Sequence, residues 1–307
     1  MLHHAAKGDA LSSPGQAARS RTAALTASAM FAFAANSILC RMALRGSDMD
    51  AASFTALRLV SGAVCLVPLS WIINRSRGQS PIQGDSFSAV ALFCYAAGFS
   101  FAYVRISTAT GALLLFGMVQ VTMVILSIIQ GTRPHARQWQ GLALALLGLL
   151  ALTWQGLEAP DLLGLVLMGS AGVAWGIYSA RGRGSTNPTA ATAGNFLRAA
   201  PLSLVALWIF RDALMASARG IALAVFSGAV ASALGYILWY AALRNLSGVQ
   251  AALVQLSVPV LAALGGVALL HEPLTMRLII AGTAIILGIA LSLTRAKVRR
   301  SEEIGRG

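Results

Sequence analysis

Charged side chains are scarce in this chain: 11% of its 307 residues are Asp, Glu, Lys or Arg, against roughly 25% in an ordinary soluble domain. Ten are acidic, and none of the ten lies inside an apolar run. Lysine is nearly missing. Lys7 and Lys297 are the two examples among 23 basic residues, a bias that reads as base composition and not as mechanism. The three cysteines, Cys40, Cys65 and Cys94, lack a C-x-x-C spacing and are expected as buried free thiols. His3, His4, His135 and His271 share no ligand spacing, so neither a metal site nor a cofactor is expected. A membrane-embedded enzyme would need clustered His, Asp, Glu or an activated nucleophile, and the apolar runs hold no such cluster.

What is present is apolar, 57% of the chain, in runs of about 20 residues that can each cross a ~30 Å hydrocarbon core. The runs are continuous and do not alternate residue by residue, which argues against a β-barrel. The expected fold is an all-α polytopic membrane protein of ten transmembrane helices, near 23–43, 52–73, 87–104, 109–130, 138–156, 162–180, 190–210, 220–242, 249–270 and 277–295. The net charge of +13 sits between these runs and at the ends, so topology explains it better than a nucleic-acid partner. Fifteen Lys and Arg fall on one side of the bilayer and six on the other, which puts both termini in the cytoplasm. Residues 1–21 lack the apolar core of a signal peptide and read as a disordered cytoplasmic arm; residues 296–307 read as a basic cytoplasmic tail.

A period of 140 residues runs through the spans. Arg41 and Arg181 end the first and sixth. Arg58, behind Phe54, and Arg198, behind Phe196, lie seventeen residues further on. Arg105 and Arg244 end the third and eighth within one residue of that offset. "GLALALLGLLALT" (141–153) parallels "GTAIILGIALSLT" (282–294). Five spans per half is an odd number, so the halves, 22–156 and 161–295, are expected as inverted repeats, the layout of many secondary transporters.

With these features the chain resembles the bacterial drug/metabolite transporters of the EamA type over nearly its whole length. The most specific stretch is "VQLSVPVLAALGGVALLHEPLTMRLIIAGTAIILGIAL" (254–291), with Pro259 in mid-span, a Glu272-Pro273-Leu274 turn, and a final helix punctuated by Gly282 and Gly288. The first half departs from the pattern, with Thr132 and Arg133 where an acidic residue is common. The resemblance implies a carrier of small metabolites or amino acids in the bacterial inner membrane, driven by an ion gradient (a proton, for instance) or by exchange, with efflux favoured over uptake and over transport of sugar or nucleotide conjugates. It also implies that spans 1–4 and 6–9 line the cavity while 5 and 10 pack peripherally, at a candidate homodimer contact. Small multidrug exporters of the same superfamily exchange protons for cations on a glutamate in their first span. Here that span offers only Ser28, Asn36 and Ser37, so anionic, zwitterionic or neutral substrates are expected instead of lipophilic cations.

Candidate cavity residues follow from polarity at depth. Arg58 and Arg198 sit roughly 10 Å below their respective surfaces at 1.5 Å per residue. Each is either a brace that snorkels or caps backbone carbonyls, or a cationic site suited to carboxylate or phosphate. Asn36, Gln120, Asn195 and Gln255 are interhelical hydrogen-bond partners or cavity walls. Among the aromatics, Trp175 and Tyr178 form the preferred cavity pair, with Tyr95 and Tyr240 as further wall candidates and Tyr103, Tyr236 and Trp239 as core or interfacial residues. Pro68, Pro201 and above all Pro259 are candidate kinks; Pro259 with Gly265 and Gly266 is the candidate gate. Gly141, Gly148, Gly282 and Gly288 read as close-packing points.

Overall fold

Inside hydrocarbon, each backbone N–H and C=O must find its partner within its own segment, so long apolar runs become helices. The computed structural model of the protein describes residues 14–45, 48–106, 108–131, 134–153, 161–270 and 276–293. These hold α1 (Pro14–Arg45), α2 (Ala51–Arg75), α3 (Ser86–Tyr103), α4 (Thr108–Ile129), α5 (Ala136–Thr153), α6 (Leu162–Gly182) and α7 (Pro188–Ile209). An eighth rod comprises α8 (Ala218–Phe226), a π-helical stretch Ser227–Leu234 and α9 (Gly235–Leu243). α10 (Gly248–Gln255) and α11 (Ser257–Leu270) form a broken ninth rod, and α12 (Met276–Leu293) is the last. Among the described residues there is no strand, only an isolated bridge between Met49 and Ala216. Five helical stretches are long and apolar enough to cross a membrane, Ala18–Leu44, Ala51–Arg75, Ser86–Tyr103, Leu162–Gly182 and Ala218–Leu243, and shorter apolar helices accompany them.

The few acidic residues do a specific local job. Asp50, Asp85 and Asp161 are the N-caps of α2, α3 and α6, accepting from the amides of Ser53, Ser88 and Gly164. A carboxylate there satisfies an orphan donor and faces the positive end of the helix dipole. Asn187 and Ser217 cap α7 and α8 in the same way, and Ser247 with Gln250 forms a capping box on α10.

Three local expectations need correction. Residues 14–21, expected in a disordered arm, are the first turns of α1; Pro14 suits a helix start because its missing N–H is unused there. The ninth rod is not continuous but breaks at Leu256. Pro259 lies four residues after Gln255, and its ring collides with that carbonyl in an unbroken helix, so the kink expected at Pro259 falls just before it. Of the cysteines, Cys40 alone is buried, Cys65 being half-buried and Cys94 exposed on the protein surface. Residues 1–13, the Glu272-Pro273-Leu274 turn, Thr132, Arg133 and the 296–307 tail lie outside the described residues.

Packing repeats between the halves. α2 lies along α7 and α5 along α12; α3 on α6 is matched by the eighth rod on α1, and α4 on α6 by the ninth rod on α1. The glycine faces are turned on each other. A methyl at Gly148 would stand 2.9 Å from the Ala281 carbonyl, and one at Gly288 would stand 2.5 Å from that of Gly141, so these glycines allow α5 and α12 to meet backbone to backbone.

α2 and α7 run antiparallel, as their ends reveal. At the start of α2, the Asp50 amide donates to the Met215 carbonyl (2.9 Å), the Ser217 amide to the Asp48 carbonyl (2.7 Å) and the Met215 amide to the Asp50 carboxylate (2.7 Å). At the start of α7, the Gln83 amide donates to the Ala190 carbonyl (3.0 Å) and the Asp85 amide to Asn195 Oδ1 (3.2 Å). Each half thus straps the loop after its second helix across the start of the other half's second helix.

Candidate functional site

Where α1, α2, α3, α6 and the eighth rod converge, they enclose one buried cation. Arg58 is 1% exposed. It does not snorkel: its Nε donates to Ser232 Oγ at 2.9 Å, and its Nη2 to the phenol oxygens of Tyr236 (2.7 Å) and Tyr95 (3.4 Å). Its guanidinium carbon lies 5.3 Å from the centroid of the Tyr95 ring and 6.0 Å from that of Phe99, close enough for cation–π attraction. The Ser232 hydroxyl passes the chain on to Asn36 Oδ1 (3.4 Å), which also accepts from Ser227. Arg58 Nη1 has no hydrogen-bond partner among the described residues.

The π-helical stretch makes this arrangement. Widening the helix over Ser227–Leu234 turns Ser227, Ser232 and, just beyond, Tyr236 toward α1 and α2, and such widenings recur at functional sites. Gly228 lets the rod approach, because a methyl there would overlap the Arg58 carbonyl and the Ser61 hydroxyl. Nothing in the polar pattern of the sequence marked Ser227 and Ser232. The available signal was the run of small residues "SGAVASALG" (227–235).

An aromatic column leads away from Arg58. Tyr95 is 4.8 Å from Trp175, which stacks on Tyr178 at 5.6 Å and 25°, and Tyr178 is 5.1 Å from Tyr240. Phe33 packs edge-on against Trp175, Tyr236 and Trp239. The expected Trp175/Tyr178 pair is therefore in contact, and Phe33, Phe99 and Tyr236 join the cluster. Gln255 accepts from the Trp175 indole and donates to Met123 Sδ (3.1 Å). Gln120 donates to the Ala252 carbonyl, tying α4 to α10. Asn36, Gln120 and Gln255 are thus interhelical partners. Gly265 faces α1, where a methyl would meet Ile38 Cδ1 at 2.5 Å.

Tyr240 and Asn195 line a cavity of about 370 Å³ with Gln83, Gly84, Asp85, Ser88 and Arg181, at the end of the bundle that carries the 76–85 loop. Asp85 pairs with Arg181 at 3.1 Å, and Arg181 Nε donates to Ser88 Oγ at 3.0 Å. Partial burial pushes the Asp85 carboxyl up, but the Ser88 amide and hydroxyl and the Arg181 guanidinium outweigh it and hold the group below the ordinary aspartate value. A depressed folded-state value stabilises the protein above the unfolded value near 3.8, and that contribution is lost as pH falls through the folded value. Asp85→Asn keeps the cap, because asparagine caps as well as aspartate, but gives up the partly exposed Arg181 pair and the charge facing the helix dipole, so it is expected to lower stability at pH 7 by about 0.5–1 kcal/mol. Thermal unfolding in detergent should show the variant and wild type converging below pH 3.8; a gap that persists at low pH contradicts this.

Arg198 is not part of the cluster. It is exposed and its Nη1 donates to the carbonyls of Gln83 (3.0 Å) and Gly194 (2.9 Å), which pins the 79–85 loop on α7. This is the bracing alternative of the two open to it. At the opposite end Arg105 pairs with Asp161 at 3.1 Å. Another hollow, of about 830 Å³, opens between the start of α1 and the ninth rod and α12, lined by Thr22, Met30, Gln250 and Leu261 among others.

Two repeats of the same packing, built from helices apolar enough to span a membrane and closed around a polar–aromatic core, define an integral membrane protein of the transporter type. The EamA-like transporter family profile matches residues 21–154 and 162–294, one match per half, and the chain belongs to that family. It is 50% identical over 283 residues to an uncharacterized protein of Pseudomonas aeruginosa, a similarity covering 92% of this chain and 98% of that one. A protein of known crystal structure superposes with a TM-score of 0.71 at 20% identity, over 87% of this chain and 98% of its own; that likeness shows the fold.

Proposed function

We propose that the protein is a secondary active transporter of ten spans, arranged as two inverted five-helix repeats, that moves small metabolites across the bacterial inner membrane by alternating access. Both termini face the cytoplasm in this reading, and efflux is the favoured direction. The observation that carries it is the position of Arg58. A cation buried at the junction of both repeats, hydrogen-bonded to hydroxyls and to no carboxylate, is costly as a mere structural element and useful as a binding centre between the repeats. The antiparallel α2–α7 pair supports the inverted arrangement, and the two straps are the natural places for opening. The 76–85 end, with its cavity of about 370 Å³, is the cytoplasmic mouth by the charge bias of the loops. Asn195 and Tyr240 line that mouth, Trp175 and Tyr178 lie between it and Arg58, and the Pro259 break with Gly265 and Gly266 supplies the bend in the ninth rod.

Purified protein in proteoliposomes loaded with a mixed pool of unlabelled metabolites is expected to accumulate labelled members of that pool by counterflow. Counterflow is a property of a carrier that exposes one site to each side in turn. Flux that neither saturates nor shows counterflow would indicate a channel and sink this reading.

A further inference from the structure

We propose that Arg58 holds the carboxylate of a monoanionic substrate whose flat apolar body lies against Tyr95 and Trp175; this rests on the transporter reading above. Among the described residues, the buried side chains include one cation, Arg58, and no carboxylate. A guanidinium stays charged in a protein, and a charge buried without a counter-charge carries a desolvation penalty that an incoming anion removes. The geometry leaves room in its hydrogen bonding for one ligand group. Nε and Nη2 are committed to the hydroxyls of Ser232, Tyr236 and Tyr95, which hold the plane of the guanidinium fixed, while Nη1 is buried without a partner. Donors fixed in this way suit an oxygen of a carboxylate, whose bonds to arginine are charge-assisted.

Charge matching narrows the class. One cation balances one negative charge, so a dianionic phosphate would keep an uncompensated charge. The ammonium of a zwitterionic amino acid would find ring faces but no acid. A lipophilic cation would be repelled outright. The walls set the body of the molecule: the Tyr95 and Trp175 rings stand 4.8 Å apart centre to centre, and Phe33 and Tyr236 close on Trp175 at 5.2 and 4.8 Å. Planar apolar groups stack or insert edge-on among such rings. The rings of Tyr240, Tyr178 and Trp175 form a continuous aromatic column of the same character between the cavity beside Asp85 and Arg181 and Arg58.

The test keeps one body and changes the head. Binding of phenylacetate, phenylacetamide, phenethylamine, phenylalanine and phenyl phosphate to the full chain in detergent is measured by calorimetry, alongside acetate and indole-3-acetate as smaller and larger acids. A carboxylate acid of this panel is expected to bind about tenfold or more tightly than the amide, the amine and the phosphate, the scale of one charge-assisted hydrogen bond. Arg58→Gln is expected to erase the preference for acid over amide, and Arg58→Lys to reduce it, since the charge stays while the fixed fork of donors is lost. Equal affinity for acid and amide, preference for the amine or the phosphate, no binding by any acid of the panel, or a preference that survives Arg58→Gln overturns the proposal. If the variants do not fold, the wild-type head-group series decides alone. Counterflow separates the two readings. A carrier without acid preference refutes the anion site and keeps the transporter, while acid binding without counterflow keeps the site and refutes the transporter.

Discussion

Gly228→Ala is expected to destabilise the protein by about 1–3 kcal/mol, the usual cost of overpacking a tight interface, and to uncouple the polar chain around Arg58. The added methyl would overlap the Arg58 carbonyl and the Ser61 hydroxyl on α2. Backbone of a packed helix cannot rotate away as a side chain can, so the eighth rod itself must retreat. Ser232 and Tyr236 follow Gly228 by one and two turns, and they are the acceptors of Arg58 Nε and Nη2. A retreat of a few tenths of an ångström lengthens both bonds and leaves more of a buried charge unsatisfied. Gly117→Ala is the control, because nothing lies within 4 Å of the added methyl; it should stay within about 1 kcal/mol of wild type. The fraction of monodisperse protein surviving a heat ramp in detergent reads both. Equal survival of Gly228→Ala and Gly117→Ala would show that the eighth rod is not pressed on α2 as described.

Oxidising a Met49→Cys/Ala216→Cys pair is expected to arrest transport completely, and reduction to restore it. These residues face each other in an antiparallel bridge, where Cα atoms stand roughly 4.5–5.5 Å apart, inside the range a disulfide accepts. The bridge joins the loop before α2 to the loop after α7, so it must part if the two repeats rock about the core. A Gln83→Cys/Ala190→Cys pair places the corresponding lock on the strap at the other end, beside the Gln83-to-Ala190 hydrogen bond. The exposed Cys94 and half-buried Cys65 are replaced by alanine in both backgrounds. Full counterflow with either lock closed would mean that substrate does not pass by opening of that strap.

Much of the architecture was legible because a membrane leaves the chain little choice. Long apolar runs must be helices, and matched residues 140 apart in halves of five runs imply antiparallel partners. Small residues on 141–153 and 282–294 mark where two backbones meet, and α5 and α12 do meet there. Trp175 and Tyr178, one turn apart, share a face in any helix and were legible as a pair for that reason.

Arg58 and Arg198 show where legibility ended. The repeat makes them equivalent in sequence, yet one is buried in a hydrogen-bonded cluster and the other is exposed on backbone carbonyls. Carried back by 140, Ser232 and Tyr236 fall on Leu92 and Ala96, and Tyr95 carried forward falls on Gly235. The second arginine therefore meets no hydroxyl at depth and turns to Gln83 and Gly194 instead. By itself the sequence determined the helices, their apolar faces, the internal repeat and the family, because these follow from hydropathy, period and local motif. The tertiary structure alone decided which arginine is buried in the polar–aromatic cluster, since that depends on what the π-helical stretch, about 170 residues away in the chain, presents to it.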